Sequence, residues 1–189
     1  MLPAPPASRP PAPPDFQRVI VIGSSGAGKS TFARRLGAAT GLPVTHIDQL
    51  FWQAGWVQRD KADYLARLQA VVAQDRWIIE GVNPSSLDLR LPRADLLIWL
   101  ECHRLRCLWR VGRRVAKSYG RVRPDMAPGC PEQLPDLEFL RYIWTFGTAI
   151  APRIEAAIDR HDMRARTVRL RGDRAAARWL AGVGDPGLP

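Results

Sequence analysis

Lysine, histidine and cysteine are scarce in this sequence of 189 residues, which contains only three of each. The cysteines, Cys102, Cys107 and Cys130, form neither a Cys-x-x-Cys pair nor an even disulfide framework. One adjacent histidine, His103, does not complete the four ligands of a tetrahedral metal site. We therefore expect free thiols and a reducing, cytoplasmic environment.

Long apolar runs are also missing, and the longest, at residues 19–22 and 96–100, have the length of strands. A bilayer-spanning helix needs about 20 apolar residues, so no membrane partner is expected. The first fourteen residues contain seven prolines and lack the continuous apolar stretch of a secretory signal. Residues 1–15 are predicted to be a disordered proline-rich tail, because proline fixes φ and removes backbone donors. Residues 182–189, rich in glycine and proline, are expected to fray.

The remaining residues, 16–181, suit one compact domain. With 46% hydrophobic and 24% charged residues, the composition excludes a disordered chain or a fibre. Short apolar runs alternate with helical patterns, which predicts an α/β fold with a parallel sheet covered on both faces. Strands are predicted at residues 18–22, 44–47, 77–79, 96–100 and 168–170, and helices at residues 29–39, 60–75, 103–118, 137–150 and 174–181.

The basic residues are almost all arginine, and the formal net charge is +10. One interpretation is a genome rich in G and C, whose codons favour arginine. The charge is nevertheless uneven, since residues 90–123 hold nine arginines and one lysine against two acidic residues. A concentrated positive field attracts phosphate, either on a nucleotide or along a nucleic-acid backbone. The composition leaves both partners open.

Residues 23–30 read GSSGAGKS and match the phosphate-loop pattern GxxxxGK[ST] at every fixed position. The motif follows a predicted strand and opens a predicted helix, as its function requires. Glycines let the backbone wrap closely around phosphates, and the amides at the helix start attract anions. Lys29 is expected to reach the β- and γ-phosphates and Ser30 to ligate Mg²⁺. The predicted cofactors are ATP and Mg²⁺, bound by Gly23, Ser24, Ser25, Gly26, Ala27, Gly28, Lys29, Ser30 and Thr31.

Acidic residues end the next two strands in sequence, Asp48 after the second and Glu80 after the third. The carboxyl ends of parallel strands are where ligands bind, so both side chains are expected to face the phosphate loop. Asp48 could instead cap a turn. An aromatic segment containing Trp52 follows Asp48 and is predicted to contribute to substrate binding.

The predicted helix 103–118 carries Arg110, Arg113 and Arg114, of which Arg110 can share a helix face with either of the others. Arginines stabilise the charge on a transferring phosphoryl group. The alternative is a solvated basic face. The turn-rich stretch 120–135 that follows, with Arg121 and Arg123 near its start, is predicted to be a short mobile lid that excludes water.

Together these features resemble the adenylate-kinase-like P-loop kinases. The segments HID at 46–48, WIIEG at 77–81 and RPDMAPGCPE at 123–132 are more closely similar to bacterial proteins labelled DNA topology modulation proteins. The resemblance covers residues 18–180 and implies a three-layer P-loop fold with a five-stranded parallel sheet. It also implies that residues 171–173 lie near the adenine ring.

One segment departs from the adenylate kinases, which carry Asp-Gly-x-Pro-Arg after strand three. Here the sequence reads EGVNP at 80–84 without an adjacent arginine. Arg90 or Arg93 could replace that arginine, but neither has the family's spacing, which argues against AMP as the acceptor. The sequence also lacks the [NT]KxD motif of guanine recognition, which argues against a GTPase.

The sequence therefore predicts an ATP- and Mg²⁺-dependent phosphotransferase acting on a nucleotide or another small molecule. The alternative is a DNA-associated regulatory P-loop ATPase, in which the basic segment binds nucleic acid and the nucleotide acts as a switch. The absence of helix-turn-helix or zinc-finger spacing disfavours that alternative. The predicted catalytic residues are Lys29, Asp48, Arg110 and Arg114, and the predicted substrate-binding residues are Asp48, Trp52, Glu80 and Arg90.

Overall fold

The structure is a computed structural model that describes residues 16–183. The two predicted tails, 1–15 and 182–189, lie outside these residues except for residues 182 and 183, which belong to the last helix. In chain order the elements are β1 (Arg18–Ile22), α1 (Lys29–Thr40), β2 (Val44–His46), α2 (Ile47–Phe51), β3 (Trp52–Gln53), β4 (Val57–Gln58), α3 (Lys61–Val72), β5 (Trp77–Glu80), α4 (Leu87–Arg90), β6 (Leu96–Glu101), α5 (Arg104–Ser118), α6 (Leu137–Thr145), α7 (Ala151–Arg160), β7 (Thr167–Arg171) and α8 (Gly172–Val183).

Five of the strands form one parallel sheet in the order β2-β5-β1-β6-β7, and β3 pairs with β4 in a separate two-stranded hairpin. The register places Val21 beside Glu80 and His46 beside the same residue on the other side. The order puts β1 at the centre, so the loop after β1 lies where the sheet's connections diverge to either side. The predicted α/β fold with a five-stranded parallel sheet is confirmed.

Alternate side chains of β1 point to opposite faces of the sheet, and each face packs against its own layer of helices. Val19 and Val21 pack with residues of α1, α5 and α8, while Ile20 and Ile22 pack on the other face with residues of α3, α4 and α7. All four side chains are fully buried. The sheet is therefore covered by helices on both faces, which accounts for its near-continuous apolar strands.

Several regions differ from the predicted elements, among them the β3–β4 hairpin and α4, which were not predicted. β2 ends at His46 because Ile47 begins the short helix α2, which places Asp48 in a first helical turn. The helix predicted over 137–150 is α6, which ends at Thr145 and continues as a π-helical turn over Phe146–Ile150. Pro152 lies in the first turn of the next helix, α7, which was not predicted. Proline suits a first turn because it needs no amide partner there.

Residues 119–135, which we name the cover segment, contain the predicted lid. The segment has no helix and forms isolated bridges between Tyr119 and Glu132 and between Val122 and Pro131. Its apolar side chains pack against the tryptophans of the β3–β4 hairpin, and this small cluster consists of Met126, Ala127, Cys130, Trp52 and Trp56. The cover segment is therefore docked on the hairpin that follows α2.

None of the helices within residues 16–183 combines the length and apolar character needed to cross a bilayer.

Candidate active site

The phosphate loop is the turn between β1 and α1, and backbone contacts account for two of its glycines. A Cβ at Gly23 would lie 2.5 Å from the Leu100 carbonyl oxygen, and one at Gly26 would lie 2.4 Å from the Cys107 carbonyl oxygen. Both residues also have positive φ. The loop thus sits directly on the end of β6 and the start of α5, too close for any side chain at these positions.

The start of α1 faces the interior of this loop. Gly28, the residue before the helix, has φ +95° and supplies no side-chain cap. The first amides of α1 therefore remain available to an anion, and the helix dipole strengthens that preference. Lys29 Nζ donates to the Ser24 carbonyl at 3.1 Å, so its ammonium group lies against the loop.

Glu80, at the end of β5, joins the loop to the next strand. The Ser30 hydroxyl donates to Glu80 Oε2 at 3.2 Å, and Lys29 Nζ lies 3.9 Å from Glu80 Oε1. A hydrogen bond of 2.6 Å joins His46 Nδ1 to Glu80 Oε2, and both side chains are buried. No role was predicted for His46, although its position at the end of β2 would have indicated this contact.

Asp48 lies one short turn beyond β2 and remains accessible to solvent. Surrounding protein nevertheless raises the pKa of its carboxyl group, mainly through desolvation and then through the charge of Glu80. Lys29 and Arg123 act in the opposite direction. The pKa of Tyr142, on α6, is raised by burial and by the charge of Asp48. The predicted proximity of Asp48, Glu80 and the loop is present in the structure.

The cover segment adds an acidic residue, Asp125, that the sequence analysis did not select. Burial opposes its ionisation, but the charge of Arg123 and the nearby Ser30 side chain outweigh burial and lower its pKa. Arg123 donates to Asp125 at 2.8 Å and pairs with Glu132 at 2.6 Å. The Arg-Pro-Asp run was visible in the sequence, but nothing local indicated that it folds back onto Ser30.

The two predicted catalytic arginines of α5 contact different partners. Arg110 forms an ion pair with Asp173 and approaches the Gly26 carbonyl at 3.5 Å. Arg114 pairs instead with Glu132 of the cover segment, at 2.9 Å. The structure thus places Arg110 at the phosphate loop and Arg114 under the cover segment.

Two predicted substrate-binding residues occupy positions that the sequence did not indicate. Arg90 is fully buried and donates to the carbonyl oxygens of Gly81, Asn83 and Ser86, so it organises the turn after β5 rather than lining the recess. Burial lowers its pKa to about 10, which still leaves it charged at neutral pH. Trp52 is half-buried between the hairpin and the cover segment.

Two of the cavities among the residues that the structure describes are lined by residues of the loop. One, of about 360 Å³, is lined by Gly28, Thr31 and Arg110 together with Asp173 at the start of α8. The other, of about 480 Å³, is lined by Ser24, the end of β6 and residues of α6 and α7. Ser24 has a buried hydroxyl group without a hydrogen-bond partner. The smaller cavity is lined by three of the predicted nucleotide-binding residues, Ala27, Gly28 and Thr31, and by Arg110, a predicted catalytic residue.

The oxygen atoms beside Ser30 suit Mg²⁺ when it is held jointly with phosphate. Within residues 16–183 no group of three histidine, cysteine or acidic side chains is arranged to hold a metal ion alone. Mg²⁺, however, commonly keeps several waters and binds through one or two carboxylates plus substrate phosphates. The Ser30 hydroxyl with Glu80 and Asp125 beside it supplies such hard donors.

Comparisons with known proteins agree with the fold. No family model matches the sequence, and no curated protein matches it. A solved gluconokinase from Sinorhizobium meliloti 1021 superposes with a TM-score of 0.52 and 16% identity, over 88% of this chain and 91% of that chain. A shikimate kinase from Acinetobacter baumannii, solved with shikimate, gives a TM-score of 0.48 and 13% identity, over 93% and 97% of the two chains. The likeness to the gluconokinase structure shows that the chain has a kinase-like P-loop fold. The resemblance to DNA topology modulation proteins is not shown by these comparisons.

Proposed function

We propose that this protein is an ATP- and Mg²⁺-dependent phosphotransferase that phosphorylates a small molecule. The observation that carries the proposal is the hydrogen bond between Ser30 of the phosphate loop and Glu80, with Asp48 two residues beyond His46, the strand partner of Glu80. A nucleotide-binding loop and a carboxylate suited to an acceptor hydroxyl group therefore face one another. The likeness to a gluconokinase structure supports the fold on which this proposal rests.

The donor nucleotide would be held by the phosphate loop. The first amides of α1 and the ammonium group of Lys29 would bind the β- and γ-phosphates. Mg²⁺, with Ser30 as its protein ligand and Glu80 and Asp125 orienting its waters, would neutralise charge on the phosphates. The base and ribose would occupy the cavity of about 360 Å³ beside Arg110 and Asp173.

The acceptor would lie beside Asp48. Its hydroxyl oxygen would form a bond to the γ-phosphorus while the bond from that phosphorus to the β–γ bridging oxygen breaks, releasing ADP. The hydroxyl proton would pass to the Asp48 carboxylate. A raised pKa makes Asp48 a stronger base than an ordinary aspartate, which suits it to this role.

Arg110 would contact the transferring phosphoryl group, whereas Arg114 and Arg123 would act through the cover segment. Arg110 already lies at the phosphate loop. Arg114 and Arg123 both bind Glu132 and so hold the cover segment in place. A docked cover segment would exclude water, which prevents idle hydrolysis of ATP.

The proposal is tested by titrating the full chain with ATP and Mg²⁺ in a calorimeter and by following transfer of labelled γ-phosphate to small hydroxyl compounds. We expect Mg²⁺-dependent binding of ATP and transfer to an acceptor. Failure to bind ATP would overturn the proposal, because every step depends on the phosphate loop.

A DNA-associated ATPase is the second candidate, and the outer face of α5 is the observation that favours it. Arg106, Arg113 and Lys117 are exposed there beside the exposed ring of Trp109. A salt titration separates the candidates, because affinity for DNA falls steeply with salt when several phosphates are neutralised. Salt-sensitive binding of duplex DNA without phosphoryl transfer would favour this second function.

A further inference from the structure

We propose that the cavity of about 480 Å³ is a second binding site, which takes a small aromatic carboxylic acid in its anionic form. This cavity shares only Leu100 with the cavity of about 360 Å³, and Asp48 does not line it. Its ligand is therefore neither ATP nor the phosphoryl acceptor, and the site does not depend on the proposed phosphoryl transfer. The volume lies within the range of ~300–1,000 Å³ that small-molecule sites occupy.

The buried part of the cavity lining is mainly apolar and aromatic. It includes Trp99 and Leu100 of β6, Ile143 of α6 and Phe146 of the π-helical turn. None of these four side chains is more than 7% exposed. Indole and phenyl rings pack favourably against the faces and edges of another aromatic ring. The interior of the cavity therefore suits the aromatic body of a ligand.

The π-helical turn forms one side of the cavity. Phe146, Gly147 and Thr148 of this turn all line it, and they pass from a buried residue to two exposed ones. A Cβ on Gly147 would meet no atom within 4 Å. Turns of this kind are rare and are frequent at functional sites. Here the turn connects the apolar interior to an open rim.

The two carboxylates of the lining, Glu101 and Glu155, already have arginine partners. The Arg169 guanidinium pairs with Glu101 at 3.2 Å and with Glu155. It also lies 4.4 Å from the centre of the Trp99 ring. Arg171 binds Glu101 as well, at 2.7 Å. The cavity therefore offers no free carboxylate to a cationic ligand.

Arg104, the first residue of α5, is a lining cation without an acidic partner. Its guanidinium lies 4.0 Å from the centre of the exposed Trp144 ring, and within residues 16–183 no carboxylate pairs with it. A helix N-terminus itself carries partial positive charge, and the first turn of α5 contains no acidic residue. A ligand carboxylate at Arg104 would neutralise this charge through charge-assisted hydrogen bonds. An aromatic interior with an unpaired guanidinium at the rim matches an aromatic acid.

Calorimetry on the full chain tests the site with 2-naphthoate and its uncharged counterpart 2-naphthamide as probes. We expect the acid to bind at least about tenfold more tightly than the amide, because only the acid forms an ion pair with Arg104. The acid should still bind when ATP and Mg²⁺ are saturating. Absence of binding at millimolar acid, equal affinity for the two probes, or competitive displacement of the acid by ATP would each overturn the inference.

Arg104→Gln tests the charge at the rim. This variant should bind the acid about tenfold more weakly than the wild type and should bind the amide equally well. Arg113→Gln is the matched control, because Arg113 also lies over an indole ring, that of Trp109, but does not line the cavity. An unchanged affinity for the acid in Arg104→Gln, or an equal loss in both variants, would overturn the inference.

Gly147→Trp tests the location of the bound probe, because it adds a large side chain to a residue that lines the cavity. We expect this variant to bind the acid at least about tenfold more weakly than the wild type. Gly112→Trp is the control, at an exposed glycine of α5 where a Cβ would also meet no atom within 4 Å. Equal affinity in the two variants would place the probe elsewhere and overturn the inference. If Gly147→Trp fails to fold, Arg104→Gln, at an exposed position, decides the question.

Discussion

The two halves of the candidate site are built in different ways. The donor half is one continuous stretch, residues 23–31, whose geometry comes from backbone amides and from glycines packed on Leu100 and Cys107. The acceptor half is assembled from α2, β5, α6 and the cover segment, and it consists of side chains. A site made of backbone amides is changed little by single substitutions. A site made of side chains from several elements can change its specificity by one substitution at a time.

The halves also differ in charge. The donor half presents Lys29, Arg110 and the positive end of α1. The acceptor half presents Asp48, Glu80 and Asp125. Under the proposed function, the positive groups lie where the phosphates of a nucleotide would bind. Substitutions in each half should therefore have separable effects.

The largest effect is expected in the donor half. Lys29→Ala should lower the rate of phosphoryl transfer by about 10²–10³, because it removes positive charge that stabilises the transition state. Its melting temperature should change little, since Lys29 contributes no core contact. Lys61→Ala, at the exposed start of α3, is the control. A folded Lys29→Ala protein with near-normal turnover would contradict the role of the loop.

The next effect concerns the acceptor half and its pH dependence. Asp48→Asn should lower kcat by about 10² or more, as expected for loss of a general base. Only the ionised carboxylate accepts a proton, so wild-type turnover should rise as the pH rises through the raised pKa of Asp48. In the Asp48→Asn variant this rise in the pH–rate profile should be absent.

Asp48→Asn should lower activity without lowering the stability of the protein. Because folding raises the pKa of Asp48, the folded state favours the neutral acid, and stability falls as pH rises through that pKa. Asp48→Asn should therefore melt no lower than wild type at neutral pH. Asp88 is the contrasting control, since its pKa is lowered by His161 and Arg160. Asp88→Asn should lose a little stability and keep full turnover. A destabilised Asp48→Asn protein would contradict this assignment.

Substitutions of Arg110 and Arg114, both on α5, should have separate effects because the two side chains have different partners. Arg110→Ala should lower kcat/KM about tenfold or more, which is the scale of a lost charge-assisted hydrogen bond. Arg114→Ala should have a smaller effect through Glu132. If the two predicted catalytic arginines acted on one phosphoryl group, the loss in the double variant would be smaller than the sum of the single losses. Because their partners differ in the structure, we expect near-additive losses. Arg113→Ala, exposed beside Trp109, is the control.

The smallest effect is expected in the cover segment. Glu132→Gln preserves shape but removes the charge that binds Arg114 and Arg123. The backbone bonds between Gly120 and Glu132 and between Glu132 and Arg121 should open more often. Amide exchange at these positions should accelerate about tenfold, corresponding to a loss of ~1.4 kcal/mol in local stability. Glu138→Gln, exposed on α6, should leave exchange unchanged. Equal exchange in both variants would show that Glu132 does not hold the segment.

Much of the fold could be predicted because its determinants are local. Apolar runs of four or five residues specified the buried strands, and a contiguous eight-residue motif specified the phosphate loop. Asp48 and Glu80 were recognisable because parallel strands bring their carboxyl ends together whatever the order of the strands. The π-helical turn and α7 were missed, since the apolar pattern runs on through Phe146–Ile150 without a break.

The sequence by itself determined the presence of a nucleotide loop, the parallel sheet and an acidic edge opposite the loop, because each depends on residues close together or on a general rule of strand direction. Only the tertiary structure decided which arginines are engaged by other groups of the protein. It buried Arg90 on carbonyl oxygens and paired Arg123 with Asp125 and Glu132. It also brought Asp125 to Ser30, which lies far away in the chain. The charge that a ligand meets depends on these long-range pairings, and no local pattern encodes them.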